Sequence, residues 1–330
     1  MPFSLTNAPG GFQWFLNTIF ADLLDVFIFI YLDDILVYSQ DEKEHVTHVS
    51  KVLQQLQKNG LYANGKKCLF HSDSVDYLGH FIGPDGLKMD PSKVKVIQDW
   101  PEPQKVKDIQ SFLGFANFYR CYIYNYSDIV VPLTQLTQKN VPWDFNNSCQ
   151  LAFLTLKQVF ILAPVLTHWQ PDCLIVVETD ASDYALVAIL SLQEPNGELH
   201  SVTFLSQTFT STKLNYDVHD KKLLAIYEAF KAWHHYLEGS TFPIDVITVH
   251  KNLEYFLTTK MLSWRQARWS EYLCAFNLVI RFWPGKLGTK PNAFTHHSDL
   301  YLKERGKHYG NVNPHNCRPV FLSEKLSASL

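Results

Sequence analysis

The sequence has no apolar run long enough to cross a bilayer. Its longest, Val26 to Tyr31 with Leu23 and Leu24 before it, is broken by Asp25 and falls far short of the ~20 residues a spanning helix needs. The N-terminus has neither a basic n-region nor a small-residue cleavage site, so no secretory leader is expected. Paired cysteines are missing as well. Cys68, Cys121, Cys149, Cys173, Cys274 and Cys317 are scattered, with no Cys-x-x-Cys, which argues against a disulfide framework and suits a reduced, intracellular chain, in cytoplasm or nucleus. His45/His48, His234/His235 and His296/His297 have no cysteine at zinc-site spacing and read as surface or core histidines. Excess positive charge is also lacking: 29 Lys and Arg face 32 Asp and Glu, a formal net charge of −3. Any surface for nucleic acid must therefore be local, although carboxylates gathered around metals would themselves lower the total.

What is present is an ordinary globular composition. The 330 residues are 46% hydrophobic and 18% charged, and the 14% of aromatics are spread along the whole chain. That is enough for two or three domains with cores of their own and argues against a disordered tract.

The patterning changes along the chain. Pro9, Gly10 and Gly11 interrupt the first segment, and Phe12 to Leu24 has helical spacing. Two apolar runs, Val26 to Tyr31 and Ile35 to Tyr38, flank Leu32-Asp33-Asp34 and predict a hairpin buried on both faces. Gln40 to Asn59 is an amphipathic helix with Gly60 as its C-terminal stop. Val75 to Ile82 reads as a strand, Pro84-Asp85-Gly86 as a turn, and Pro91, Pro101 and Pro103 as a boundary region. Helices follow over Val106 to Ile123, Ser127 to Gln138 and Asn147 to Ile161, and could form a separate small lobe. From Cys173 strands dominate: Leu174 to Glu178, Ala185 to Leu192 and Ser201 to Gln207, with a turn at Glu194 to Gly197. A long helix over Asp217 to Leu237 then precedes strand Ile244 to Val249, two short helices near Asn252 and Trp264, and strand Asn277 to Phe282. This order suggests an α/β sheet with helices on its faces.

The sharpest local feature is Asp33-Asp34. A polar turn would account for it, since Asp bonds nearby backbone. Held on a rigid apolar ribbon, two adjacent carboxylates are also a device for binding divalent cations. Two metals roughly 3.5–4 Å apart could then activate a hydroxyl and stabilise a leaving pyrophosphate.

Met1-Pro-Phe-Ser-Leu-Thr-Asn-Ala-Pro9, Phe12-Gln13 and Tyr31-Leu-Asp-Asp34 together resemble the reverse transcriptase of Ty3/Gypsy long-terminal-repeat retrotransposons. The similarity continues in order through Gly60-Leu-Tyr62, Lys67-Cys68, Leu78-Gly-His80 and Ser111 to Tyr119, then Ala163 to Leu166 and Thr179-Asp-Ala-Ser182. It extends to Leu223 to Ile226, Trp233, His235 to Gly239, Gln266 to Trp269 and Pro284 to Lys286. The resemblance implies a multidomain α/β and α+β chain in four parts. These are a reverse-transcriptase palm over 1–88, a helical thumb or connection over 89–142, a ribonuclease-H-like mixed sheet over 143–303 and a tail over 304–330. It implies that Asp33 and Asp34 bind Mg²⁺ or Mn²⁺, that Asn7, Pro9, Phe12 and Gln13 lie under template and deoxynucleotide, that Lys67 faces the pyrophosphate, and that Leu78 and Gly79 grip the primer. The implied partners are an RNA template, a DNA primer and their hybrid, with no membrane.

Departures from the family pattern carry further expectations. The family's palm has a third carboxylate upstream of the first motif; the sequence opens at that motif, so this chain is expected to be an N-terminally truncated, inactive or severely weakened copy. An exposed palm edge could then promote oligomerisation. Ser4 replaces a usual Gly. Of the four ribonuclease H carboxylates, Asp180 matches the first, while Lys222, Val249 and Asn292 stand at the other three. A cation, a hydrocarbon and an amide where anions should gather oppose Mg²⁺, so no ribonuclease H cleavage is expected. The domain could instead hold an RNA–DNA hybrid without cutting it, with Arg265 and Arg268, beside Trp264 and Trp269, as candidate contacts. Packing of both tryptophans into the core is the alternative.

Overall fold

The computed structural model describes residues 6–251, 253, 256 and 262–282. Ser4, the rest of the first five residues, Pro284 to Lys286, Asn292, the histidines 296 and 297, Cys317 and the tail lie outside them, as does most of the expected helix near Asn252. The chain divides into two compact units, one ending at Pro84 and one starting at Asp85.

The first unit opens with α1 (Ala8–Ile19). It begins earlier than the sequence suggests. Pro9 stands in the first turn, where its missing N–H costs nothing, and Gly10 and Gly11 continue the helix. Strands β1 (Ile28–Tyr31) and β2 (Asp34–Val37) pair antiparallel, and α2 (Glu42–Lys58) follows, capped by the Asp41 carboxylate accepting from the Glu44 N–H at 2.8 Å. Leu16, Phe20, Phe27, Ile28, Val52 and Leu56 form the core, and Gln55 Nε2 donates to the Ile19 carbonyl at 2.6 Å, tying α2 to the end of α1. The β1–β2 ribbon is not buried on both faces as expected. Phe29 and Tyr31 are 46% and 54% exposed, because the helices cover one face while on the other Phe29 stacks on Tyr38, itself exposed.

The segment expected to be one strand from Val75 to Ile82 is a hairpin. Its strands are β3 (Val75–Tyr77) and β4 (His80–Gly83), with Tyr77 opposite His80. Leu78 and Gly79 both have positive φ, 52° and 79°, the signature of a tight two-residue reversal. An apolar alternation cannot show that reversal.

In the second unit, β5 (Gly86–Met89) leads into α3 (Pro91–Gln98), a helix hidden in the sequence by its prolines. Asp90 caps it and Pro91 opens it, the position a proline tolerates best. Then come α4 (Val106–Phe118), a single 3₁₀ turn at Arg120–Tyr122, α5 (Tyr126–Leu136) and α6 (Asn147–Ile161). Their core includes Ile97, Phe112, Tyr122, Leu133, Leu156 and Phe160, with Phe112 against Phe153 at 4.7 Å and Trp100 at 5.5 Å.

The sheet that follows is built from β6 (Leu174–Ala181), β7 (Ala185–Gln193) and β8 (Leu199–Thr208), then β9 (Ile244–Thr248) and β10 (Leu278–Phe282). Its spatial order is β10-β9-β6-β7-β8, antiparallel from β6 to β8 and parallel from β6 through β9 to β10. Between β8 and β9 run a short α7 (Ser211–Leu214), α8 (Val218–Ala232) and α9 (His234–Leu237). α8 packs Leu223, Ala225, Ile226 and Phe230 with sheet residues Ile175, Val177, Leu186 and Val246. The single helix expected over Asp217 to Leu237 is broken at Trp233, whose indole is buried. α10 (Trp264–Leu273) carries a full capping box between Ser263 and Gln266.

The helices and the sheet share one unit. The Ser127 N–H donates to Ser206 Oγ at 2.7 Å, Phe204 packs on the helical core, and the Thr167 N–H bonds the Ser201 carbonyl at 2.8 Å. Leu87 and Leu166 exchange two backbone bonds, 2.7 and 2.9 Å. Beside that bridge Gly86 has φ +128°, and a Cβ there would stand 2.1 Å from the Leu166 carbonyl oxygen. Gly86→Ala is therefore expected to destabilise the second unit by about 3 kcal/mol in urea denaturation. Gly10→Ala, in a helix with open space around it, should be neutral or gain up to about 1 kcal/mol.

Candidate metal-binding and nucleic-acid sites

Tyr31 pairs with Asp34, so the β1–β2 loop is the two residues Leu32 and Asp33. Leu32 has φ +51° and Asp33 does not share the sign. This is a turn whose first central position favours glycine, and here it carries a leucine. Asp33 and Asp34 are both exposed at the tip. The charge of Asp34 reaches Tyr77, whose phenol is raised above its ordinary range first by burial and then by that carboxylate. Two adjacent, exposed, oxygen-only donors suit a hard divalent cation.

The other expected palm residues fall around this hairpin in different ways. Asn7 stands at the start of α1, exposed and making no cap bond, and Pro9 is exposed in its first turn. Phe12 packs half-buried on the core. Gln13 does something the sequence does not show. Its Oε1 accepts from the Leu32 N–H at 2.6 Å while its Nε2 donates to the Ile30 carbonyl at 3.2 Å. Lys67 is exposed in the turn after α2 and its ammonium has no ion pair among the described residues. Leu78 and Gly79 form the β3–β4 turn.

At the second centre, Asp180 lies near the end of β6. The parallel register sets Thr179 against Thr248, so Val249 follows directly beside Asp180, and α8 brings Lys222 over the same strand end. Lys222 Nζ sits 2.9 Å from Asp180 Oδ1. The ammonium is thus already paired with this carboxylate, and a lysine with a valine beside it does not suit a divalent cation. His219 and His250 meet edge to face, 4.3 Å between ring centroids. Burial, then His219 and then Lys222, pull the His250 pKa down to about 4. On the same strand Glu178 is raised above the usual carboxylate range by burial.

The aromatic and basic cluster on α10 is split. Arg265 Nη2 pairs with Asp220 at 2.9 Å, and the guanidinium lies 3.8 Å over the Tyr216 ring. Gln266 Nε2 donates to the other oxygen of Asp220 at 2.8 Å. Trp269 is in the core. Arg265 and Trp269 are thus committed inside the domain, whereas Trp264 is 92% exposed and Arg268, one turn on, is also exposed.

An acidic two-residue turn on an antiparallel ribbon, followed by helices and a five-stranded sheet in this order, defines a reverse transcriptase palm joined to a ribonuclease-H-like domain. Residues 1–82 match the family "Reverse transcriptase (RNA-dependent DNA polymerase)" and residues 145–244 match the "RNase H-like domain found in reverse transcriptase". The Tf2-3 and Tf2-7 transposon polyproteins of Schizosaccharomyces pombe are each 36% identical over 287 residues, covering 86% of this chain and 22% of theirs. The chain belongs to the Ty3/Gypsy-type retrotransposon polyproteins and spans about a fifth of the length of these relatives.

Solved structures share the fold. A foamy viral protease-reverse transcriptase in complex with RNA/DNA hybrid superposes with a TM-score of 0.72 at 22% identity, over 89% of this chain and 40% of that one. One in complex with double-stranded DNA gives 0.71 at 24% identity, over 88% and 60%.

Two outcomes follow from this geometry. Arg265→Ala leaves the Asp220 carboxylate, 8% exposed, with the Gln266 amide but without its cation, and should cost about 2 kcal/mol in chemical denaturation, whereas Arg268→Ala should stay within about 0.5 kcal/mol. Glu178 titrates above its unfolded value, so the folded state binds the extra proton and stability falls as pH rises through that window. Glu178→Gln should therefore raise the melting temperature at neutral pH, with the gain vanishing below about pH 4, where the carboxyl is protonated in both states.

Proposed function

We propose that this chain serves RNA-directed DNA synthesis as a segment that presents the palm metal pair and holds an RNA–DNA hybrid, and that its ribonuclease-H-like domain does not cut. The observation that carries the second half is the 2.9 Å contact between Lys222 and Asp180. A bound cation at the palm would be Mg²⁺ or Mn²⁺, held by Asp33 and Asp34; it would lower the pKa of a primer hydroxyl and offset charge on the departing pyrophosphate. Reverse transcriptases and ribonuclease H enzymes use divalent metals in general, and the all-oxygen pair fits that use. The deoxynucleotide and template would lie along the start of α1, with Lys67 free to meet phosphate.

At the second centre the chemistry is different. The ammonium of Lys222 neutralises Asp180 without metal, Val249 offers no donor, and Coulomb repulsion opposes any incoming dication. What remains is a folded sheet with an exposed Trp264–Arg268 pair, suited to a base face and a phosphate. Among the described residues no helix is long and apolar enough to cross a membrane.

The purified chain, incubated with an RNA–DNA hybrid and Mg²⁺ or Mn²⁺, should leave the RNA strand intact; robust metal-dependent cleavage would overturn the reading. Hybrid binding should be salt-sensitive. Trp264→Ala with Arg268→Ala should weaken it and reduce the slope of log K against log salt by about 1, the share of a single phosphate contact. Primer extension by the 330-residue chain alone should be weak or absent, and any extension seen should disappear in Asp33→Asn.

A further inference from the structure

The turn that carries Asp33 and Asp34 has a conformational problem built into it. Leu32 occupies left-handed backbone, φ +51°, where a side chain crowds the following carbonyl. Left to itself, this turn would spend part of its time in other conformations that aim the two carboxylates elsewhere. The hairpin is only four residue pairs long, so the strands alone hold it weakly.

Three hydrogen bonds centred on the Gln13 amide of α1 address this. Gln13 Nε2 donates to Asn17 Oδ1 at 2.8 Å and to the Ile30 carbonyl at 3.2 Å. With both acceptors facing Nε2, the amide has one orientation, and its Oε1 is left to accept from the Leu32 N–H at 2.6 Å. Asn17 is one helical turn after Gln13, on the same face. We infer that Asn17 and Gln13 form a positioning relay: Asn17 orients the Gln13 amide, and that amide locks the strained Leu32 peptide so that Asp33 and Asp34 stay preset for a divalent cation. Gln13 thus reaches the site from below the hairpin, through backbone, in addition to any contact with template. This inference rests on reading Asp33 and Asp34 as metal ligands, but its mechanical part does not.

The mechanical part is tested on the metal-free, full-length chain by amide hydrogen exchange of the segment 28–37. Gln13→Ala and Asn17→Ala should both accelerate exchange there, with α2 unchanged. Unaltered exchange in Gln13→Ala would overturn the relay whatever the metal does. The functional part uses Mn²⁺ followed by electron paramagnetic resonance, counting the binding lost in the Asp33→Asn, Asp34→Asn double variant as the palm site. Gln13→Ala should weaken that site about tenfold, the size of a left-handed penalty released to the turn, and Asn17→Ala less. Leu32→Gly removes the penalty, so in that background Gln13→Ala should have little effect. An equal loss in both backgrounds would overturn the coupling to strain. If the double Asn variant binds Mn²⁺ as well as the parent, the metal reading of the palm fails, and with it the relay's purpose; hydrogen exchange still decides whether the relay exists.

Discussion

Strand β6 is the piece on which the second unit depends. It is the only strand of the sheet paired antiparallel on one side and parallel on the other, β7 and β9 respectively. One of its faces is sealed by α8 through Ile175 and Val177. Alternation turns Glu178 away from that face, while Asp180, close to the strand's end, is reached by Lys222 of α8. The parallel pairing with β9 then brings Val249 level with Asp180. The carboxylate and the lysine meet at that strand end, and the valine is the next residue along the chain after the Thr179–Thr248 pair.

The two acidic centres show how differently one charge can be used. At the palm, Asp33 and Asp34 stand exposed and form no ion pair among the described residues. At the sheet, Asp180 already has its cation. An ammonium at 2.9 Å pairs with that carboxylate. Since like charges gathered at one site repel each other unless metal is bound, a lysine there favours the metal-free domain. The core of the sheet is complete although its Asp180 is paired with a lysine.

Arg265 illustrates the same economy. In sequence it stands with Trp264, Arg268 and Trp269 as part of a basic and aromatic cluster. On α10 those four positions face different ways, because a helix advances about 100° per residue. Arg265 and Trp269, one turn apart, turn inward to Asp220 and the core. Trp264 and Arg268, also one turn apart, turn to solvent. Two of the four positions are thus already occupied inside the domain.

Much was legible from the chain alone. The acidic pair between two apolar runs, the helix from Asn147 to Ile161 and the strand-rich character after Cys173 are local properties of residue type and spacing. They marked the palm hairpin and the ribonuclease-H-like sheet without coordinates. Other features needed tertiary structure because they depend on backbone sign or on long-range partners. Periodicity does not report positive φ, so the Leu78-Gly79 reversal and the strain at Leu32 were invisible, and prolines at Pro9 and Pro91 looked like breaks when they were starts. Hydrogen bonds across 17 to 46 positions in sequence were equally out of reach. Sequence determined which residues could carry charge to each centre. Tertiary structure decided which of those charges are already neutralised, because that depends on a few ångströms set by strand register and helix packing.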